Sequence, residues 1–223
     1  MINKLKNLGR LNITVLLIAM SLFCLFISIA RYFITDTKVF LFLNWNLFLA
    51  FIPWVISSFM VLNNLNKKFS LIILIISWIL FFPNSPYILT DLFHLRLHGS
   101  VPIWFDLIQI LSFAWTGLVY GFISLMDIEK LLSSRLNKKW VNSLVVSFLF
   151  LSSFGIYLGR YLRWNSWDII SNPLGLAGDI FDRFVNPSSH PRTWGMTLLM
   201  GVLLNMMYFS IKFIKPSIET KEI

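Results

Sequence analysis

Apolar residues along this chain fall in six long runs, 13–30, 39–62, 69–82, 103–126, 140–158 and 193–214, with polar stretches between them. A helix needs roughly 20 mostly apolar residues to cross the hydrocarbon of a bilayer, so five of the runs read directly as membrane spans. The third does not, because its 14 residues reach only Pro83, about 21 Å of helix at 1.5 Å per residue. There the chain reads Phe81-Phe82-Pro83-Asn84-Ser85-Pro86-Tyr87-Ile88-Leu89-Thr90-Asp91-Leu92-Phe93-His94-Leu95, an apolar run broken at two prolines and resumed with an acid and a histidine. An interrupted helix at membrane depth is tolerated only where protein or water covers the freed backbone groups, so such a segment tends to line a site.

Between the fifth and sixth runs, residues 159–192 are too polar to span and are rich in Trp, Asp, Arg, Asn and Pro. They read as an interfacial segment. The expected fold is all-α: a polytopic transmembrane helical bundle of about six spans with a broken third helix, forming a single transmembrane domain over residues 1–223. The first run is 18 residues long and Arg31 follows it directly, which favours an uncleaved span over a signal peptide with its shorter apolar core.

Composition supports the same reading. The chain is 57% hydrophobic and 13% charged, whereas soluble domains carry about 25% charged residues. The net charge of +9 comes from Lys and Arg placed beside the apolar runs, which suits lipid headgroups and orientation signals and leaves no basic domain for nucleic acid. Membrane lipids are therefore the expected partners. Residues 1–12, 63–68, 127–139 and 212–223 hold twelve Lys and Arg, and 31–38, 83–102 and 159–192 hold seven. The positive-inside rule then predicts a cell-membrane protein with both termini cytoplasmic, and puts 83–102 and 159–192 on the extracytoplasmic side. The single cysteine, Cys24, excludes an intrachain disulfide and a multi-cysteine metal site; it reads as lipid-facing or packed core.

The resumed segment carries the first candidate chemistry. Asn84 or Ser85 suits a helix cap and Pro86 the first helical position, predicting a helix from Pro86 to about Leu97. At 100° per residue, Tyr87, Thr90, Asp91, His94 and His98 share one face, with Arg96 alone on the other. One reading is an acid–imidazole site in which Asp91 orients His94; the other is an interfacial helix with its polar face to water. His94 and His98 have the spacing of two zinc ligands, but Leu95 stands where the zincin motif needs Glu, so no metal or cofactor is assigned.

A second constellation follows if the fifth helix continues outward, since Arg160, Arg163, Trp164 and Trp167 would then share a face just before Asp168. Two guanidiniums beside two indoles suit an anionic headgroup, or else an aromatic belt with snorkelling arginines. Asp179 and Arg183 form an i, i+4 pair if Gly178 caps a short helix. Within the fourth run, Asp106 and Gln109 lie one turn apart, and an intramembrane acid is a site candidate by default. Asn44 and Asn46 begin the second run at a similar depth. Gly117 to Gly121 and Gly155 to Gly159 match Gly-x-x-x-Gly, which predicts close helix packing and offers faces for homo- or hetero-oligomers.

With Trp45-Asn46-Leu47-Phe48-Leu49-Ala50, the segment from Pro83 to Leu95 and the segment from Leu158 to Asp168, the chain resembles the bacterial integral-membrane family catalogued as domain of unknown function 1361. The resemblance covers residues 39–214 and implies a small polytopic membrane protein; it transfers no catalytic residue. The residues themselves lead to two functional expectations. In the first, a membrane-embedded enzyme uses Asp91 and His94 as its catalytic pair on a lipid or lipid-linked anionic substrate. Tyr87, His98, Asp106, Arg160, Arg163, Trp164 and Asp168 then contact the substrate. In the second, the same polar pocket serves a non-catalytic accessory subunit or small carrier.

Overall fold

The computed structural model describes residues 9–63, 68–95 and 101–219, with Lys68 and the last five residues of that range described by backbone alone. All regular structure among them is helical. In chain order the helices are α1 (Leu11–Thr35), α2 (Phe42–Asn63), α3 (Lys68–Phe81), α4 (Asn84–Tyr87), a 3-10 helix (Ile88–His94), α5 (Ile103–Ser133), α6 (Lys138–Leu162), α7 (Asp168–Ser171), α8 (Pro173–Val185), a short 3-10 turn (Pro187–Ser189) and α9 (Pro191–Glu219). Among the described residues, six helical stretches are long and apolar enough to cross a membrane, as a polytopic helical bundle requires. The third of them is Phe69–His94, joining α3 to the helical turns after Pro83. The short third run therefore reaches spanning length by continuing past its prolines.

The chain divides into two compact units, Met1–Leu131 and Leu132–Ile223. In the first, α1 and α5 run antiparallel, linked by side-chain contacts from end to end. Arg10 pairs with Asp127 at 2.5 Å, Ser21 bonds Tyr120 at 2.8 Å, Cys24 meets Thr116 at 3.4 Å and Arg31 pairs with Asp106 at 2.7 Å. Both ion pairs are nearly shut off from solvent. Ser57 donates to Asp127 at 2.8 Å, and Arg10 also donates to Ser58 at 2.9 Å, so α2 joins the Arg10 end of the clamp. Between the ends lies an apolar core that includes Leu17, Leu43, Leu47, Ile88, Ile110 and Phe113. Cys24 belongs to that core.

The glycine pair of α5 receives the broken third span. A Cβ at Gly117 would lie 2.8 Å from the Ser85 carbonyl and 2.9 Å from Ile88 Cδ1, and one at Gly121 would lie 2.8 Å from Ser85 Cβ. Close packing at this Gly-x-x-x-Gly face is therefore within the chain. Ser85 also donates to the Ala50 carbonyl at 3.0 Å, in the turn of α2 just before Pro53, where the proline removes a backbone donor.

In the second unit α6 and α9 pair along their length, with Phe150 pressed against Gly201. Asn137 caps α6 by accepting from the Trp140 amide at 3.0 Å. The helix stops at Leu162 because Arg163 turns into the left-handed region at φ 61°. Asn172 caps α8 through the Gly175 amide, with Pro173 at the first position, so the cap predicted at Gly178 lies instead at Asn172.

Candidate functional site

The segment after Pro83 folds differently from the capped restart its sequence suggests. Phe82 and Pro83 form a single turn, Ser85 N–H bonds the Phe82 carbonyl at 3.0 Å, and Tyr87 N–H bonds the Pro83 carbonyl at 3.1 Å. Pro83 occupies the cap position with no side-chain hydrogen bond; the Asn84 side chain donates back to the Phe81 carbonyl at 2.9 Å. The i+3 bond from Ser85 serves a carbonyl that Pro86, lacking an N–H, leaves open. From Ile88 the chain tightens into a 3-10 helix that ends at His94, where Leu95 becomes extended. The predicted α-helix to Leu97 is thus corrected, and His98 and Arg96 lie outside the described residues.

Tightening changes which side chains align. In a 3-10 helix residues i and i+3 eclipse, so the expected single polar face becomes two rows. One holds Ile88, Asp91 and His94; the other holds Tyr87, Thr90 and Phe93. Thr90 donates to the Tyr87 carbonyl at 2.6 Å. Along the first row the chain passes from the buried core to the surface: Ile88 and Asp91 are fully buried and His94 is exposed. Asp91 Oδ2 accepts from the Asn46 amide at 2.8 Å, and the His94 ring stands edge-on to Phe42 with centroids 5.2 Å apart.

The same end of the first unit holds Arg31 and Asp106. Arg31 Nε donates to Asp106 Oδ1 at 2.7 Å, and its Nη1 donates to the Val39 carbonyl and to Thr37, each at 3.1 Å. The Phe40 ring lies under the guanidinium at 4.8 Å. Phe40 is held at φ 71°, a left-handed conformation that is unfavourable for a bulky residue and persists only where its surroundings over-determine it. Asn44 donates to Ser28 at 2.8 Å, while its own Oδ1 and the buried Gln109 Oε1 have no hydrogen-bond partner. Residues 39–46 therefore connect the ion pair to the acid–imidazole row: Val39 and Phe40 meet Arg31, Phe42 meets His94, and Asn46 meets Asp91.

Asp106, expected to contact substrate, is paired with Arg31 at 2.7 Å. Arg31 was not legible as part of a site, and neither was the Arg10–Asp127 pair. The only signal in the sequence was spacing: Arg10 and Arg31 are as far apart as Asp106 and Asp127. Among the described residues no three of His, Cys, Asp and Glu come together to hold a metal ion.

The Arg–Trp constellation is also corrected. Because α6 ends at Leu162, the shared face of Arg160, Arg163, Trp164 and Trp167 does not form. Arg163 is exposed, Arg160 sits half-exposed in the last turn of α6, and Trp164 folds back to donate its Nε1 hydrogen to Asp179 at 2.7 Å. Asp168 closes a turn by accepting from the Asn165 amide at 2.7 Å and the Ser171 hydroxyl at 2.9 Å. The Asn165 amide first, then the Ser171 hydroxyl, hold its carboxyl below the usual range. The expected Asp179–Arg183 pair is present at 3.0 Å.

Comparison with known proteins adds one assignment to this geometry. A family model described as protein of unknown function (DUF1361) matches residues 45–207. The chain belongs to this family. The DUF1361 match takes in Asn46, Asp91, His94 and Asp106, and begins after Arg31. No curated protein and no solved structure matches the chain.

Proposed function

We propose that this DUF1361 chain is a membrane-embedded enzyme acting on a lipid or lipid-linked anionic substrate at the extracytoplasmic leaflet, with Asp91 orienting His94 as general base. The observation that carries the reading is the eclipsed row of the 3-10 helix. It aligns a fully buried carboxylate, anchored by Asn46, with an exposed imidazole one turn away, a rise of about 6 Å at 2.0 Å per residue. A carboxylate on that side favours the ring tautomer whose other nitrogen faces outward and accepts a proton.

The test compares lipid profiles of cells making the wild-type chain and the His94→Ala, Asp91→Asn and Asn46→Ala variants at matched protein level. The expected result is an accumulated lipid in His94→Ala, a similar profile in Asp91→Asn, and a weaker effect in Asn46→Ala. Profiles indistinguishable from wild type in all three would refute a catalytic role.

A further inference from the structure

Helix α8 lies between the two spans of the second unit in sequence, and its contacts fix its depth beside them. Leu176 and Ile180 on its inward side pack against Phe154, Tyr157 and Leu158 of α6, as does Met196 of α9. Near the end of α8 the Phe184 ring meets Phe154 and Trp194, with centroids 5.7 Å and 5.2 Å away. Phe154 comes well before Leu162, where α6 stops, so this contact lies about 12 Å inside the end of that helix at 1.5 Å per residue. Trp194 is already in the first turn of α9. Helix α8 is therefore seated alongside the outer turns of two spans and does not stand above them.

The other end of α6 supplies a membrane frame. Lys138 and Lys139 open the helix and an exposed Trp140 follows, residue types that mark a bilayer surface. For a helix along the bilayer normal, Phe154 lies about 21 Å beyond Trp140, and the roughly 30 Å of hydrocarbon ends near Arg160 and Tyr161. Tyrosine belongs at that boundary and arginine snorkels to it. The contact between Phe154 and Phe184 then falls about 9 Å inside the boundary. An amphipathic helix lying in the interface buries its apolar face to about 5–10 Å.

The side of α8 turned away from the bundle suits that depth. Leu174, Phe181 and Val185 are 85%, 69% and 55% exposed. At 100° per residue they fall within about 20° of one line, opposite the buried Arg183. Ala177 and Gly178, also exposed, widen this stripe without adding a polar side chain. The three ionisable residues of α8 lie off the stripe and are bonded, as charges near hydrocarbon must be. Asp179 accepts from Trp164 at 2.7 Å and pairs with Arg183 at 3.0 Å, and Asp182 holds Asn186 at 2.8 Å and His190 at 2.7 Å.

We propose that α8 is an in-plane membrane helix, packed on α6 and α9 by its Leu176–Ile180 side and seated by its Leu174–Phe181–Val185 side in the acyl-chain edge of one leaflet. The partner is the lipid surface itself, engaged through apolar contact. The interfacial character expected of residues 159–192 thus belongs to one face of one helix, at a defined depth. The proposal rests on the second unit alone and stands or falls separately from the Asp91–His94 reading.

Leu174→Cys, Phe181→Cys and Val185→Cys, each in full-length Cys24→Ala protein, are labelled with a nitroxide and reconstituted in phosphatidylcholine–phosphatidylglycerol vesicles. Power saturation then compares collisions with molecular oxygen, which concentrates in hydrocarbon, and with a nickel chelate, which stays in water. Leu151→Cys on the exposed side of α6 gives the lipid reference, and Ser188→Cys in the turn after α8 gives the water reference. All three stripe labels are expected to favour oxygen, as the Leu151 label does, and to report a depth of about 5–10 Å inside the headgroup boundary. Each replaces an exposed side chain, so the packed side of α8 is left intact. Any stripe label that favours the nickel chelate, as at Ser188, would put the face in water and overturn the proposal. Labels shielded from both reagents would overturn it equally, because protein, such as a second copy of this chain, would then cover the face.

Discussion

Replacing Arg31 with Met keeps much of the side chain's length and removes its charge, leaving the Asp106 carboxylate where its guanidinium used to be. The two side chains are 3% and 6% exposed, so water cannot easily take over. Removing one member of a buried pair typically costs about 3–5 kcal/mol, mostly because the remaining charge is stranded. Lost hydrogen bonds to Thr37 and the Val39 carbonyl and the lost stacking on Phe40 add to it. The double variant Arg31→Met/Asp106→Leu strands nothing, and replacement of a whole buried pair by apolar residues is often neutral or stabilising. Its expected cost is therefore about 1 kcal/mol, the scale of the hydrogen bonds that Thr37 and Val39 lose. Both variants can be measured by reversible unfolding of the full-length chain in mixed dodecylmaltoside–SDS micelles, followed by far-UV circular dichroism. A single variant within 1 kcal/mol of wild type, or a double variant at least as unstable as the single, would refute the reasoning.

Gly117→Val puts a branched side chain where Cβ alone meets the Ser85 carbonyl at 2.8 Å; it should cost about 1–3 kcal/mol in the same assay. Gly178→Ala, whose Cβ meets nothing within 4 Å, should instead stabilise by about 0.5–1 kcal/mol. Ser85→Ala removes the donor to the Ala50 carbonyl and should cost about 1 kcal/mol, read in the same micelles. The Asp182 carboxyl is held below its usual range by the Asn186 amide first and by His190 next. Its folded pKa is depressed, so its contribution is fully present above the unfolded value of about 4 and is lost as pH falls through the folded one. The melting-temperature difference between wild type and Asp182→Asn should accordingly shrink as pH falls below about 4; a difference that goes on growing below that pH would contradict the assignment.

What the sequence revealed depended on whether the signal was local. Five spans were legible from run length alone, because twenty apolar residues have few other uses. The third span showed as broken, yet Pro86 falls where an i+3 bond from the Ser85 N–H takes the carbonyl it leaves open, and Ser85 docks against Gly117 and Gly121 of a helix distant in sequence. An Asp and a His three apart align under either geometry, which is why Asp91 and His94 survived the change while the single polar face did not. The end of the fifth helix was hidden for the opposite reason. Arg163 adopts a left-handed conformation that usually falls to Gly or Asn, so nothing in Arg160 to Trp167 announced that helical spacing had ceased to apply. Arg31 and Asp106 are separated by 75 positions, and their contact follows only once α1 and α5 are known to be antiparallel neighbours.

That antiparallel register explains why the chain keeps four charges out of water. Arg10 and Arg31 are 21 residues apart, and so are Asp106 and Asp127. At 1.5 Å per residue the separation is about 32 Å, close to the roughly 30 Å of a bilayer's hydrocarbon. Equal spacing on the two helices lets both pairs close together, whereas a slip of one turn, about 5.4 Å, would open both at once and strand all four charges. Apolar ridges alone do not penalise such a slip so heavily, because a displaced leucine finds another apolar neighbour. The pairs thus govern register more than net stability, consistent with the small cost expected when both members of one pair are replaced. They also bear on the candidate site. The Arg31 pair fixes Val39 and Phe40, the same short segment carries Phe42 to His94 and Asn46 to Asp91, and a slipped α1 would pull at the acid–imidazole row without touching either of its residues.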